Sequence, residues 1–211
     1  MLRDSKLGTS YLKWIQTNPL PFFYRLSVKP NQLTFLALGI SVLTVPAYLY
    51  SLWLGGIGVL ISGLVDTLDG GLARLSNQKT NAGALLDSVF DRYSDFLALL
   101  GIWLFFQFHP IPWQVLVTPL LFLLLSGSFM VSYTRARGEG LGKTASLGFF
   151  ERAERVVCLG AGSIINDLLI HLFPSSIWLR EEWFFLALLA FLGLGSHFTA
   201  LQRIRHLVRH L

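Results

Sequence analysis

The chain has 211 residues, of which 53% are hydrophobic and 14% are charged, and its mean hydropathy is +0.57. Its long apolar runs leave too little chain for a soluble domain, so we expect residues 1–211 to form one integral membrane domain. The net charge of +5 would suit nucleic-acid binding in a soluble protein. The distribution of the charges, described below, indicates instead a membrane topology and no nucleic-acid partner. The single cysteine, Cys158, excludes an intrachain disulfide.

The first 30 residues mix aromatic with basic side chains, among them Tyr11, Lys13, Trp14, Phe22 and Arg25. This composition predicts an amphipathic helix that lies in the membrane interface with its aromatic rings at headgroup depth. We therefore separate residues 1–30, as an interfacial segment in contact with membrane lipids, from the apolar remainder of the chain.

The remainder predicts an all-α, six-helix transmembrane bundle over residues 33–205. Pro30 is expected to interrupt the chain, with Asn31 as the N-cap of a helix that begins near Leu33. Each predicted span has about the 20 residues that an α-helix needs to cross the hydrocarbon core. The spans are 33–53, 54–75, 83–107, 112–134, 148–172 and 182–205.

Lysine and arginine fall almost entirely on one side of this predicted topology. Thirteen of the seventeen lie before the first span, in the loops after the second and fourth spans, or in the carboxyl-terminal tail. Arg180 is the one basic residue in a loop on the opposite side. The positive-inside rule therefore predicts that both termini are cytoplasmic.

Four aspartates stand at the cytoplasmic ends of the second and third predicted spans. Asp66 and Asp69 share one helix face, and Asp87 and Asp91 are four residues apart on the next helix. Ionisable groups at membrane depth are costly, so they usually face a functional cavity. Carboxylate oxygens without nearby histidine or cysteine favour Mg²⁺ or Mn²⁺ over zinc. The sequence thus predicts a divalent metal site that opens to the cytoplasm.

The residues around these aspartates indicate what the site binds. Gly70 and Gly83 have no side chain, so a bulky ligand has room to lie against both helix backbones. Arg74 lies on the same face as Asp66, and an arginine beside a divalent metal is suited to a polyphosphate. A carboxylate outside the metal shell is able to accept a proton from an alcohol. Asp91 and Asp95 are the candidates; we prefer Asp91, and Asp95 is equally suited to pairing with an arginine.

The pattern D-x2-D-G-x2-A-R-x8-G-x3-D-x3-D runs from Asp66 to Asp91. It resembles the signature of the CDP-alcohol phosphatidyltransferases, membrane enzymes that move a phosphatidyl group from a CDP-linked lipid to an alcohol and release CMP. The resemblance implies that Asp66, Asp69 and Asp87 hold the metal, and that Asp91 is the base and lies within reach of the metal. It also implies a homodimer. The implied CDP-lipid pocket comprises Asn31, Thr34, Asp66, Gly70, Ala73, Arg74 and Gly83.

The acceptor alcohol is indicated by the fourth and fifth spans and the tail. These segments resemble the branch of the family that uses inositol 1-phosphate, which includes the archaetidylinositol-phosphate synthases. The acceptor phosphate would need a cationic pocket, which Ser132, Arg135, Arg155 and Arg203 are able to supply. Glycerol 3-phosphate is also an anionic acceptor, so such a pocket leaves both acceptors open.

Two other interpretations remain open at this stage. Arg135 could serve as an ordinary positive-inside residue, and Glu151 and Glu154 could neutralise Arg152 and Arg155 along one helix. A divalent-cation or proton-coupled transporter would also carry intramembrane carboxylates. Three features of the sequence disfavour a transporter: the acidic residues lie at one membrane surface and not at the midplane, no inverted repeat is apparent, and nothing polar continues to the outer side.

Overall fold

The computed structural model describes residues 6–144, 147, 148 and 150–210. Residues 1–5 of the predicted interfacial segment and residue 149 of the fifth predicted span lie outside this part of the chain. The described residues contain helices and turns but no strands, which confirms the predicted all-α class. The helices are α1 (Lys6–Thr17), α2 (Pro19–Arg25), α3 (Pro30–Tyr50), α4 (Leu52–Leu75), α5 (Asn81–Phe108), α6 (Gln114–Gly140), α7 (Arg152–Leu172), α8 (Ile177–Arg180) and α9 (Trp183–His210).

Five helices in the described part of the chain are long and apolar enough to cross a membrane, judged by length and composition: α3, α4, α6, α7 and α9. The remaining long helix, α5, corresponds to the third predicted span. It has 28 residues, but its first 15 include Asp87, Asp91, Arg92 and Asp95. Three of these four charged residues, the aspartates, were candidates for the predicted site.

Several predicted helix boundaries were wrong: α7 begins at Arg152 and not at residue 148, α9 continues to His210 and not to residue 205, and two further differences affect the site. Pro30 begins α3 instead of interrupting the chain, and the N-cap is Lys29, whose backbone N–H donates to Gln32 Oε1 at 2.9 Å. Proline suits the first position of a helix because the N–H that it lacks would have no partner within the helix. At the other boundary, α6 continues to Gly140, so Arg135 extends from a helix and not from a loop.

The packing of α4 against α7 brings the aspartate end of α4 to the start of α7. A Cβ placed on Gly56 would lie 2.6 Å from the carbonyl oxygen of Gly160, so these two backbones are in direct contact. Further along, a Cβ on Gly63 would lie 2.7 Å from Val156. The helices are antiparallel, and the next contact in this direction joins Asp66 to Arg152. Small residues on α4 and α7 thus determine how closely the two charged ends approach.

The helices α1 and α2 pack on the same end of the bundle. Ile15 and Leu20 are buried with Leu33, Leu68 and Leu72 in a small apolar cluster. The larger apolar core lies further along the long helices and includes side chains from α3, α4, α5, α6, α7 and α9. The site described next lies at this end of the bundle, between α3, α4 and α5.

Candidate active site

Three of the four predicted aspartates form one group. Asp66 and Asp69 come from the last turns of α4, and Asp87 comes from the second turn of α5. Each offers a carboxylate oxygen, and these oxygens lie within 4.8 Å of one another. Thr34 Oγ1 donates to Asp69 Oδ2 at 2.6 Å and orients that carboxylate from α3. This group of hard oxygen donors is able to bind a divalent metal ion.

The charges around the group fit such a metal. Within the described residues, no arginine, lysine or histidine forms a salt bridge with Asp69 or Asp87. Carboxylates at this separation repel one another unless a cation lies between them. Asp69 is only 4% exposed, so water screens its charge little. A divalent cation would supply the missing positive charge.

A cavity of about 370 Å³ opens beside the carboxylates, between α3, α4 and α5. A Cβ placed on Gly70 would meet only Arg74 Nη1, at 3.6 Å, so the backbone at Gly70 borders open space. Asp69 and Asp87 also line the cavity, whereas Asp66 lies outside its lining. Six of the seven residues predicted for the CDP-lipid pocket share this lining: Asn31, Thr34, Gly70, Ala73, Arg74 and Gly83.

The part of the lining that comes from the turn between α4 and α5 was not predicted from the sequence. Lys79 and Thr80 border the cavity together with Gln78 and Asn81. Lys79 had been counted only as a positive-inside residue. The signal that was available is its place in a short turn between two acidic helix ends, since such a turn has to pass close to the site.

Asp91 and Asp95 lie in a different electrostatic setting. Arg152 Nη1 contacts Asp66 Oδ2 at 2.5 Å and Asp91 Oδ1 at 2.7 Å. Asp95 Oδ2 accepts hydrogen bonds from Arg155 Nη2 at 3.2 Å and from Ser128 Oγ at 2.5 Å. Asp95 thus takes the second of its two predicted roles, pairing with an arginine.

The three arginines predicted to hold the acceptor phosphate already have protein partners. Arg203 is 2% exposed, and its three nitrogens donate to Leu147 O at 2.7 Å, Val131 O at 2.9 Å and Glu151 Oε1 at 3.0 Å. Glu151 therefore pairs with Arg203 of α9. The alternative interpretation, in which Glu151 neutralises an arginine of its own helix, is wrong. The remaining predicted members differ in exposure: Arg135 is exposed and pairs with Glu139, Ser132 is half-buried and Arg155 is buried.

The comparisons with known proteins agree with this geometry. The profile of the CDP-alcohol phosphatidyltransferase family matches residues 27–165, which is well over half of the chain. Archaetidylinositol phosphate synthase of Pyrococcus horikoshii is 37% identical over 154 residues, covering 72% of this chain and 78% of that protein.

Two solved structures have the same fold. The crystal structure of Mycobacterium tuberculosis phosphatidylinositol phosphate synthase with CDP-DAG bound has a TM-score of 0.75 and 28% identity, covering 91% of this chain and 92% of that one. Its complex with manganese and citrate has a TM-score of 0.76 and 28% identity, covering 92% and 88%. On the profile match and the identity to its relatives, the chain belongs to the CDP-alcohol phosphatidyltransferase family.

Proposed function

We propose that this protein transfers the phosphatidyl or ether-lipid phosphoryl group of a CDP-linked lipid to the hydroxyl of inositol 1-phosphate and releases CMP. The observation that carries the proposal is the cavity of about 370 Å³ in which Asp69 and Asp87 face Gly70, Arg74 and Gly83. A nucleoside diphosphate needs both a metal for its pyrophosphate and a smooth wall for its base and sugar. This cavity supplies carboxylates for the metal and, at Gly70, helix backbone without a side chain for the wall. At Gly83 the predicted room is smaller, because a Cβ there would lie 3.0 Å from Thr80 Oγ1 and 3.2 Å from Asn31 Oδ1.

In this proposal Asp66, Asp69 and Asp87 hold Mg²⁺ or Mn²⁺. When bound, the metal supplies positive charge to the pyrophosphate and makes its phosphorus more electrophilic. Arg74 and Lys79 lie at the edge of the same cavity and are positioned to bind phosphate oxygens. Asn31 and Thr34 extend from the first turns of α3 and line the same cavity, where they would contact the CDP-linked lipid.

Asp91 is the proposed base for the acceptor hydroxyl. The hydroxyl oxygen attacks the phosphorus that carries the lipid, and its proton passes to the Asp91 carboxylate. A new phosphorus–oxygen bond forms, and the bond from that phosphorus to the bridging oxygen breaks. CMP leaves with the electron pair. The fourth aspartate is suited to this role because its carboxylate lies outside the group formed by the other three.

Inositol 1-phosphate is the proposed acceptor for two reasons. The similar proteins reported above are named for inositol phosphate lipids. Of the predicted phosphate-binding set Ser132, Arg135, Arg155 and Arg203, the exposed Arg135 and the half-buried Ser132 at the end of α6 would contact the phosphate. Arg203 would act in this set by holding the segment that contains Leu147 and Glu151.

The proposed membrane arrangement has six spans, with α5 as the sixth. Support for it comes from the apolar second half of α5, whose buried residues Ala98, Ile102 and Phe106 belong to the main core. The helices α1 and α2 would lie in the interface, since Trp14 and Phe22 are exposed there. Both termini and the active site would face the cytoplasm, as the distribution of lysine and arginine predicts. The homodimer that the resemblance implies is part of the same proposal.

The test uses purified protein with Mg²⁺ and CDP-diacylglycerol and measures CMP release. Parallel reactions contain inositol 1-phosphate, glycerol 3-phosphate or no acceptor. We expect release that depends on inositol 1-phosphate. Release with glycerol 3-phosphate and not with inositol 1-phosphate would contradict the proposed acceptor but would support the proposed transfer reaction. No release in any reaction, from protein that binds Mn²⁺, would contradict the proposed reaction.

A further inference from the structure

Arg152 contacts more site aspartates than any other described basic residue. Its Nη1 bridges Asp66 Oδ2 at 2.5 Å and Asp91 Oδ1 at 2.7 Å, and its Nε lies 3.6 Å from Asp95 Oδ1. One guanidinium therefore links a residue of the metal-binding group to the proposed base. Pairing of Arg152 with a glutamate of its own helix was one of the alternatives that the sequence left open.

The fold leaves Arg152 little freedom to turn elsewhere. It is the first residue of α7, and the contact between Gly56 and Gly160 holds α7 close against α4. Its side chain is 21% exposed, and its Nε is buried without a hydrogen-bond partner among the described residues. Arginine keeps its charge at any physiological pH, so this cation remains beside the carboxylates.

We propose that Arg152 is a positioning residue for the transfer reaction. Its bridge holds the Asp91 carboxylate in the orientation needed to accept the proton of the acceptor hydroxyl. Because the same guanidinium also contacts Asp66, it weakens the binding of a divalent cation to Asp66, Asp69 and Asp87. The first effect rests on the proposed function, whereas the second concerns metal binding alone.

The two effects depend on different properties of the side chain. Weaker metal binding follows from the positive charge, since cations that share a carboxylate repel each other across a site of low dielectric constant. Orientation of Asp91 follows from the planar guanidinium, whose Nη1 lies between the Asp66 and Asp91 carboxylates while its Nε stays beside Asp95, whereas a lysine ammonium acts as a point charge. Substitutions that remove one property at a time therefore separate the effects.

The first experiment measures Mn²⁺ affinity by electron paramagnetic resonance on detergent-purified protein without substrates. We expect Arg152→Met to bind Mn²⁺ about tenfold more tightly than the natural chain, since it removes a unit charge beside Asp66. Arg152→Lys, which keeps the charge, should bind within about twofold of the natural chain. Arg137→Met is the matched control, because it removes an exposed guanidinium at the end of α6. Unchanged or weaker binding by Arg152→Met would overturn the metal-binding effect.

The second experiment measures CMP release by the same variants. Arg152→Lys and Arg152→Met should both lower kcat by about tenfold to a hundredfold, with little change in KM for the CDP-linked lipid. In an Asp91→Asn background, Arg152→Met should cause no further loss, because Arg152 acts through Asp91. Additive losses, or full turnover by Arg152→Lys, would overturn the positioning role.

These outcomes are distinguishable from a failure of the proposed function. If the natural chain releases no CMP with any acceptor while Arg152→Met still binds Mn²⁺ more tightly, the reaction is wrong and the metal-binding effect stands. An increase in thermal stability on adding Mn²⁺ checks that each variant is folded. If Arg152→Met does not fold, the kcat of Arg152→Lys alone decides the positioning role.

Discussion

Two pairs of aspartates in this protein face opposite electrostatic settings. Asp69 and Asp87 line the large cavity, and among the described residues neither forms a salt bridge. Asp91 and Asp95 lie four and eight residues after Asp87 on the same helix, and they pair with arginines of α7. Aspartates spaced four residues apart on α5 therefore lie in two different settings. The arginines of α7 determine which of these aspartates form salt bridges.

A further buried carboxylate, outside the two pairs of aspartates, extends the comparison. Glu182 lies between α8 and α9, is 7% exposed, and accepts a hydrogen bond from the Asn166 amide. Burial raises the pKa of Glu182 to about 7. The described residues include no salt bridge to it. A buried carboxylate in this fold is thus offset by an arginine where one is near, and elsewhere would be offset by a metal or a proton.

The largest loss of activity should come from substituting the aspartates that form no salt bridge with an arginine in the described part of the chain. Asp69→Asn removes a charged ligand, so we expect Mn²⁺ binding to be lost and CMP release to fall by about a thousandfold. Electron paramagnetic resonance and the release assay measure the two losses. Asp167→Asn on α7 is a control that changes a carboxylate bound to the Trp53 backbone N–H. Normal Mn²⁺ affinity in Asp69→Asn would contradict the assignment of the metal site.

Asp91→Asn tests whether an arginine-paired aspartate is the base. We expect turnover to fall by about a hundredfold or more, because the amide cannot accept the hydroxyl proton. Binding of CDP should be largely unchanged, since Asp91 does not line the large cavity. Calorimetric titration with CDP in the presence of Mg²⁺ checks the binding. A variant that cannot bind CDP would count against this role.

Asp95 should matter for stability more than for chemistry. Asp95→Ala leaves Arg155 buried without its carboxylate partner, which costs on the order of 3 kcal/mol. We expect a lower melting temperature in detergent and a Mn²⁺ affinity close to that of the natural chain. Replacing Asp95 and Arg155 together by Leu and Met should recover part of the loss. A melting temperature equal to that of the natural chain would show that the pair adds nothing to stability.

Substitutions at the neighbouring residues Gly70 and Gly71 should distinguish an effect on ligand binding from an effect on stability. A Cβ on Gly70 meets only Arg74 Nη1 at 3.6 Å, whereas a Cβ on Gly71 would lie 2.8 Å from Leu20. Gly70→Ala should raise KM for the CDP-linked lipid by about tenfold with no loss of stability, since alanine also favours the helix. Gly71→Ala should instead lower the melting temperature by displacing α2. Equal effects of the two substitutions on KM would contradict the proposed position of the nucleotide.

Glu182 should produce the smallest effect, a pH dependence of stability. Its pKa is about 7 in the folded protein, against 4.5 when unperturbed. Between these values the folded state retains a proton that the unfolded state has lost, so stability falls as pH rises from about 5 to 7. Glu182→Gln should remove that fall, a difference of a few degrees in melting temperature between pH 5 and pH 8. If the melting temperatures of the natural chain and of Glu182→Gln change with pH to the same extent, this prediction is wrong.

Much of the site was predictable because its residues are related within single helices. Asp66, Asp69 and Gly70 share a face through the helical repeat alone, and the second acidic helix begins after a short turn. Six of the seven predicted CDP-lipid residues accordingly border one cavity. The error at Pro30 was a local one, since a proline that interrupts a helix and a proline that begins one look alike without the backbone.

The sequence by itself therefore determined the class of helical membrane protein, the aspartate group and the wall of the cavity, all of which follow from spacing along one or two helices. Only the tertiary structure decided the partners of the arginines. Arg152 and Arg203 bond to residues more than fifty positions away in the sequence. An arginine side chain is long and flexible, so its partner depends on which helix packs beside it and how closely. For Arg152, glycines at the contact between α4 and α7 set that distance. The periodicity of a single helix does not reveal which other helix it will contact.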